Sequence, residues 1–138
     1  MRHPVVHFEI LGPDGAALIA FYRELFGWDL RQVPMTGYDT YAYLPEPDQG
    51  IGGGVGTVEP GDAAEGHLVT VYVEVADPRA TLDQAVQAGA QVTLPVTEID
   101  GVGAIARFRD PQGNIVGLVR AVTDGDPRRS HDDQISPP

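Results

Sequence analysis

An α+β fold made of two copies of a strand, helix and three-strand unit is what this 138-residue sequence predicts, on three observations. Two stretches, "VVHFEIL" at residues 5–11 and "LVTVYVEV" at residues 68–75, alternate with the period of a half-buried strand. Each leads into a helix that starts at an aspartate. Asp14 lies seven residues after His7 and Asp77 seven after Thr70, so a displacement of 63 superposes strand starts and helix caps alike. Such a duplication, with strands gathered after each helix, differs from the strict alternation of strand and helix in a doubly wound sheet.

In the first strand Val6, Phe8 and Ile10 are expected on one face and His7, Glu9 and Leu11 on the other. The helix "DGAALIAFYRELFG" takes Asp14 as cap, an apolar stripe of Leu18, Phe21, Tyr22 and Leu25, and Gly27 as stop. Strands are predicted over 28–33, 38–44 and 51–58; Tyr38, Tyr41 and Tyr43 favour the extended state, and "PEPDQG" supplies a turn. Residues 59–66, "EPGDAAEG", are acidic and apolar-poor and read as a linker. The order then restarts. Val69, Val71, Val73 and Val75 are expected on the packing face of the fifth strand, with Thr70, Tyr72 and Glu74 opposite. The second helix is capped by Asp77, has Pro78 at its first position and Leu82, Ala85 and Val86 inward, and stops at Gly89. Strands over 91–94, 104–108 and 115–120 complete one domain, residues 5–122, of modules 5–58 and 68–122. The tail, residues 123–138, has almost nothing to bury and is expected to be disordered.

Composition narrows the function. Twenty acidic residues against nine Lys and Arg give a formal charge of -11, which opposes nucleic acid and anionic membrane as partners. With no cysteine, disulfides, thiolate zinc sites, iron–sulfur clusters and a cysteine nucleophile are excluded. "MRHPVVHFEI" lacks the apolar core of a signal peptide and no window is long enough to cross a bilayer, so a soluble cytoplasmic protein is expected.

The stretch "HFEILGPDGAALIAFYRELFGW", with His7, Asp14 and Phe21-Tyr22, together with "DPQGN" at 110–114 before the last strand, resembles the vicinal oxygen chelate superfamily. That group includes glyoxalase I, extradiol dioxygenases, fosfomycin-resistance transferases and bleomycin-binding proteins. The resemblance covers roughly residues 5–121 and implies paired βαβββ modules forming a curved mixed sheet around a cavity, helices on its convex side, and a homodimer.

The resemblance also implies where a metal would bind: the start of the first strand, the fourth strand, the start of the fifth, and the last strand. His7 suits the first position, but "GIGGGVG" offers no donor in the fourth strand, the fifth-strand position is Thr70, and the last is Gly117. A divalent ion needs three or four convergent lone-pair donors. His67 would be out of phase with the strand unless a bulge intervened. No metal and no cofactor are therefore expected. The glycines, Gly53 among them, could open a pocket wall to a ligand, or mark a distortion or a dimer contact.

The face of His7, Glu9, Leu11, Thr70, Tyr72 and Glu74 mixes an imidazole, carboxylates, a hydroxyl and an aromatic ring, a set able to orient a small organic molecule. Candidate proton carriers are His7, Glu9 and Glu74. Candidate ligand contacts are His7, Tyr41, Tyr43, Gly53, Thr70, Tyr72 and Arg107; for His7 a purely structural role stands beside these. Arg107 could grip a carboxylate through its guanidinium fork or sit in a rim salt bridge, like Arg109. Asp110 and Asn114 are turn residues. The expected function is metal-independent binding of, or acid–base chemistry on, a small organic molecule. The alternatives are a divalent-metal lyase or isomerase resembling glyoxalase I, with His7 as a ligand, and a non-catalytic dimeric accessory protein.

Overall fold

The computed structural model describes residues 2–35, 39–58, 68–101 and 103–121. The predicted linker, His67 and the tail lie outside these. Among the described residues the order is β1 (Val5–Gly12), α1 (Gly15–Phe26), β2 (Arg31–Gln32), β3 (Tyr41–Leu44), β4 (Gly52–Thr57), β5 (Leu68–Glu74), α2 (Pro78–Gln87), β6 (Gln91–Ile99), β7 (Gly103–Arg109) and β8 (Ile115–Ala121). This is the α+β pattern of two βαβββ modules. The described residues fall into two compact units, those within 6–71 and those within 72–121, the latter with residues 2–5. Glu74 N–H accordingly donates to the Pro4 carbonyl at 2.9 Å within the second unit.

In the first unit β1 runs parallel to β4, and β3 is antiparallel to β4 and to β2. Asp14 caps α1 by accepting from Ala17 N–H at 3.0 Å, and Gly27 ends the helix in the left-handed region. The core joins Ile19 to Leu30, Ala42, Leu44 and Val55, with Phe8, Ile10, Leu18, Tyr22 and Trp28 packed against it. Even-numbered residues of β1 and β3 thus face α1. Their odd-numbered neighbours, His7, Glu9, Tyr41 and Tyr43, occupy the face without a helix. The expected α1 stripe is corrected: Ile19 is its buried large side chain, while Phe21 and Leu25 are exposed.

In the second unit β5 runs parallel to β8, and β7 is antiparallel to β8 and β6. Val75, Leu82, Ala106 and Leu118 form the core, with Val73, Val96 and Phe108 against it. Asp77 caps α2 by accepting from Ala80 N–H at 3.1 Å. The valine row of β5 divides: Val73 and Val75 pack in this core, whereas Val69 is 75% exposed and Val71 also lies open. Alternation set their parity, but a side chain is buried only where another element covers that stretch of strand.

The repeat extends to hydrogen-bond register. A displacement of 63 carries Glu9↔Gly54, Ile10↔Val55 and Leu11↔Gly56 onto Tyr72↔Gly117, Val73↔Leu118 and Glu74↔Val119. In the third strands the displacement becomes 64, since Tyr43 pairs with Gly54 as Arg107 pairs with Gly117. The turns also correspond: Gly50 and Gly113 adopt φ of 103° and 96°, which a side chain would resist. At the second turn Asp110 Oδ1 accepts from the N–H groups of Gln112 and Asn114, both at 2.9 Å, and Asn114 Nδ2 donates to Oδ2 at 3.0 Å. These bonds hold the Asp110 carboxyl below its ordinary range, Asn114's side chain being the main cause.

Candidate functional site

On the helix-free face of the first unit, Glu9 and Tyr41 are 4% and 5% exposed, and the Tyr41 hydroxyl donates to Glu9 Oε2 at 3.0 Å. His7 lies two residues before Glu9 on the same face. Burial pushes its imidazole down from 6.5 to about 4, because the charged form loses hydration. His7 is therefore neutral at pH 7, a ring with one donor and one acceptor nitrogen. Tyr43 shares the face and is half-buried.

The glycines of β4 explain how these groups fit. Tyr41 is the register partner of Gly56, yet its ring leans along β4 until the hydroxyl lies over Gly54, itself the partner of Glu9. A Cβ on Gly54 would fall within the tyrosine, and one on Gly56 would lie 3.0 Å from Tyr41 Cα. Gly53 points to the opposite face, where the Phe8 ring fills the space of its absent side chain. Its expected role as an opening in a ligand wall is corrected: Gly53 belongs to the core side, and what approaches it is an aromatic ring of the chain itself.

The second unit carries its own row. Arg107, Gly117 and Tyr72 are register partners across β7, β8 and β5. The Tyr72 ring covers Gly117 as the Tyr41 ring covers Gly54. Arg107 and Tyr72 are each 3% exposed, so a rim salt bridge does not describe Arg107. Arg109 is the residue at the rim: it is partly exposed and donates to the Gly113 backbone carbonyl at 3.2 Å, a hydrogen bond within the turn. Glu74 is half-buried opposite Val119, and its repeat counterpart is Leu11, not Glu9. Thr70, the counterpart of His7, is buried.

His7 is a competent ligand, Thr70 a poor one, and Gly54 and Gly117 have no side chains, with a tyrosine ring over each. Among the described residues, no three His, Cys, Asp or Glu are grouped so as to hold an ion. This donor set does not fit the metal of the metal-dependent relatives.

A groove of about 500 Å³ in the first unit is lined by residues 10–14, Ala17, Leu18, Phe21 and Val69, almost wholly apolar, and includes none of the expected site residues. Its signal in the sequence was the surplus of apolar residues on α1, more than one helix face can bury. No helix among the described residues is long and apolar enough to cross a membrane.

A model of the Glyoxalase/Bleomycin resistance protein/Dioxygenase superfamily matches residues 5–118. In sequence the chain is similar to a Mycobacterium tuberculosis protein provisionally named glyoxylase CFP32, with 31% identity over 110 residues, 78% of this chain and 42% of that protein. The Mycobacterium bovis protein of that name matches equally. The chain thus spans less than half the length of the curated relatives it matches. In structure it is similar to methylmalonyl-CoA epimerase from Mycobacterium tuberculosis, with TM-score 0.62 and 16% identity over 86% of this chain and 88% of that one. The Streptomyces coelicolor methylmalonyl-CoA epimerase gives 0.61 and 20%, over 86% and 97%. A Legionella pneumophila protein titled NAD-dependent benzaldehyde dehydrogenase gives 0.56 and 17%, over 83% and 97%. Titles this varied on one fold mark the limit of what the fold conveys about chemistry.

Proposed function

The chain belongs to the Glyoxalase/Bleomycin resistance protein/Dioxygenase superfamily, and from that premise we propose that it is a metal-independent member that recognises a small organic molecule by shape and hydrogen bonding. The observation that carries this reading is the buried Glu9–Tyr41 pair beside a neutral His7, at the very strands where a metal would need donors. Neutral His7 offers a bound ligand one donor and one acceptor nitrogen; with a pKa of about 4 it is a weak base, so as proton acceptor it suits a ligand whose own negative charge stabilises the imidazolium. Glu9 orients a ligand donor, while Tyr43 and Thr70 supply further wall. Taken by itself, the second unit offers Tyr72 and Arg107 for aromatic contact and an anionic group, with Glu74 as its candidate carboxylate. Whether the ligand is only held or also rearranged depends on what His7 does to it. We take the working form to be a cytoplasmic homodimer, in keeping with membership of a superfamily whose members often form dimers.

Native mass spectrometry of protein purified without a polyhistidine tag, with metal analysis of the same sample, tests the reading. The expected result is a dimer mass with substoichiometric metal, and a small-organic adduct whose retention falls on His7→Ala or Glu9→Gln. A stoichiometric divalent ion lost on His7→Ala overturns it in favour of a metal lyase or isomerase.

A further inference from the structure

The run "GIGGGVG" empties β4 of side chains, and the contacts around it assign the vacancies separately. Gly53 seats Phe8 on the core face; Gly54 and Gly56, on the other face, clear a lane for Tyr41. Along that lane the tyrosine crosses β4 diagonally, from its own strand β3 toward β1, and its hydroxyl meets Glu9. We propose that Gly54 and Tyr41 are positioning residues for Glu9, the missing side chain at 54 being the seat through which a phenol fixes a buried carboxyl group. The device rests on the reading above only in taking Glu9 as a group that meets the ligand.

Three features favour positioning over mere packing. The tyrosine's polar end, not its ring edge, lies at the crossing point. Its partner is a carboxyl group, whose hydrogen bond to a hydroxyl is directional. Both residues are more than nine-tenths buried, so water has little access to substitute for either. Replacing Gly54 with any larger residue must displace the hydroxyl, whereas Tyr41→Phe removes it and keeps the ring. Two unlike substitutions should therefore have one consequence at a third residue.

The test is carbon-13 NMR of the full chain at neutral pH, with no metal added, following the Glu9 carboxyl and Tyr41 Cζ resonances. Tyr41→Phe and Gly54→Ala are expected to move the Glu9 carboxyl signal in the same direction. Phe21→Ala, a change at an exposed side chain of α1 in the same unit, should leave it in place. A Glu9 signal unchanged in Tyr41→Phe overturns the proposal, as does a Gly54→Ala spectrum in which Glu9 moves no more than in Phe21→Ala. If Gly54→Ala fails to fold, Tyr41→Phe decides alone. Should Glu9 respond as expected in a protein for which no organic ligand can be found, the positioning stands and the functional reading falls.

Discussion

The two modules share a backbone register and differ in what they place upon it. In the first, Glu9, His7 and Tyr43 stand where the second has Tyr72, Thr70 and Arg107. In both, a glycine of the closing strand lies beneath a tyrosine ring, but Tyr41 comes from β3 and Tyr72 from β5. Duplication therefore fixed the vacancy and not the residue that fills it. Register alone can locate a functional position, while its chemistry must be read from whichever side chain reaches it.

The sharpest contrast is between Phe8 and its repeat counterpart Val71. Phe8 fills the space over Gly53 and touches Trp28, ring centroids 5.3 Å apart, whereas Val71 is 40% exposed. Phe8→Ala leaves a cavity in the first core and should cost about 3–5 kcal/mol. Val71→Ala should cost less than about 1 kcal/mol. Urea unfolding measures both, and equal losses would erase the distinction.

The next contrast is His7 against Thr70, of which only the former titrates. Its folded pKa of about 4 lies below the ordinary 6.5, so the unfolded chain binds the extra proton first as pH falls. Stability contributed by neutral His7 is thus complete above pH 6.5 and declines through the window down to about 4, by no more than about 3 kcal/mol. His7→Gln should flatten that part of the stability–pH curve, and Thr70→Val should not. A His7→Gln curve parallel to the wild type would show that the imidazole is better hydrated than its position implies.

The two seated tyrosines can also be compared. Gly117→Ala would push a Cβ into the Tyr72 ring and should cost about 1–3 kcal/mol. The same change in a Tyr72→Ala background should cost less, because the obstructing ring is gone. A double-mutant cycle with no coupling would mean that β8 yields instead of the ring.

Much of this was legible in the sequence, for reasons that differ by element. Helix caps and the 63-residue displacement could be read because Asp14 and Asp77 act on N–H groups three residues away, a local interaction. The faces of β1 followed from alternation. What alternation could not convey was coverage: Val69 and Val71 have the parity of packing residues and no element over them, and Phe21 and Leu25 extend an apolar stripe wider than the core accepts. The empty fourth strand was visible as a lack of metal donors. Its occupant was not, because Tyr41 reaches Gly54 diagonally, 13 residues along the chain and off the register pair. Arg107 was hidden in the same way: two arginines before a turn look alike until one is found buried beside Gly117 and the other bonded at the rim.

The smallest expected effect concerns the turns. Both modules enter the last strand through a glycine at positive φ, but the second adds a carboxylate that gathers N–H groups from Gln112 and Asn114 and the Asn114 side chain. Those donors favour the charged form and depress the Asp110 pKa, so their contribution is present above the ordinary carboxylate range and is lost as pH falls through the lowered value. Asp110→Ala should lower the melting temperature slightly at pH 7, with the difference from wild type closing in acid. Asp48→Ala, in the corresponding turn of the first module, should do little at either pH. Equal losses at the two turns would place the benefit in the shared glycine geometry, and a Asp110→Ala deficit that persists in acid would mean that the neutral carboxyl still caps the turn.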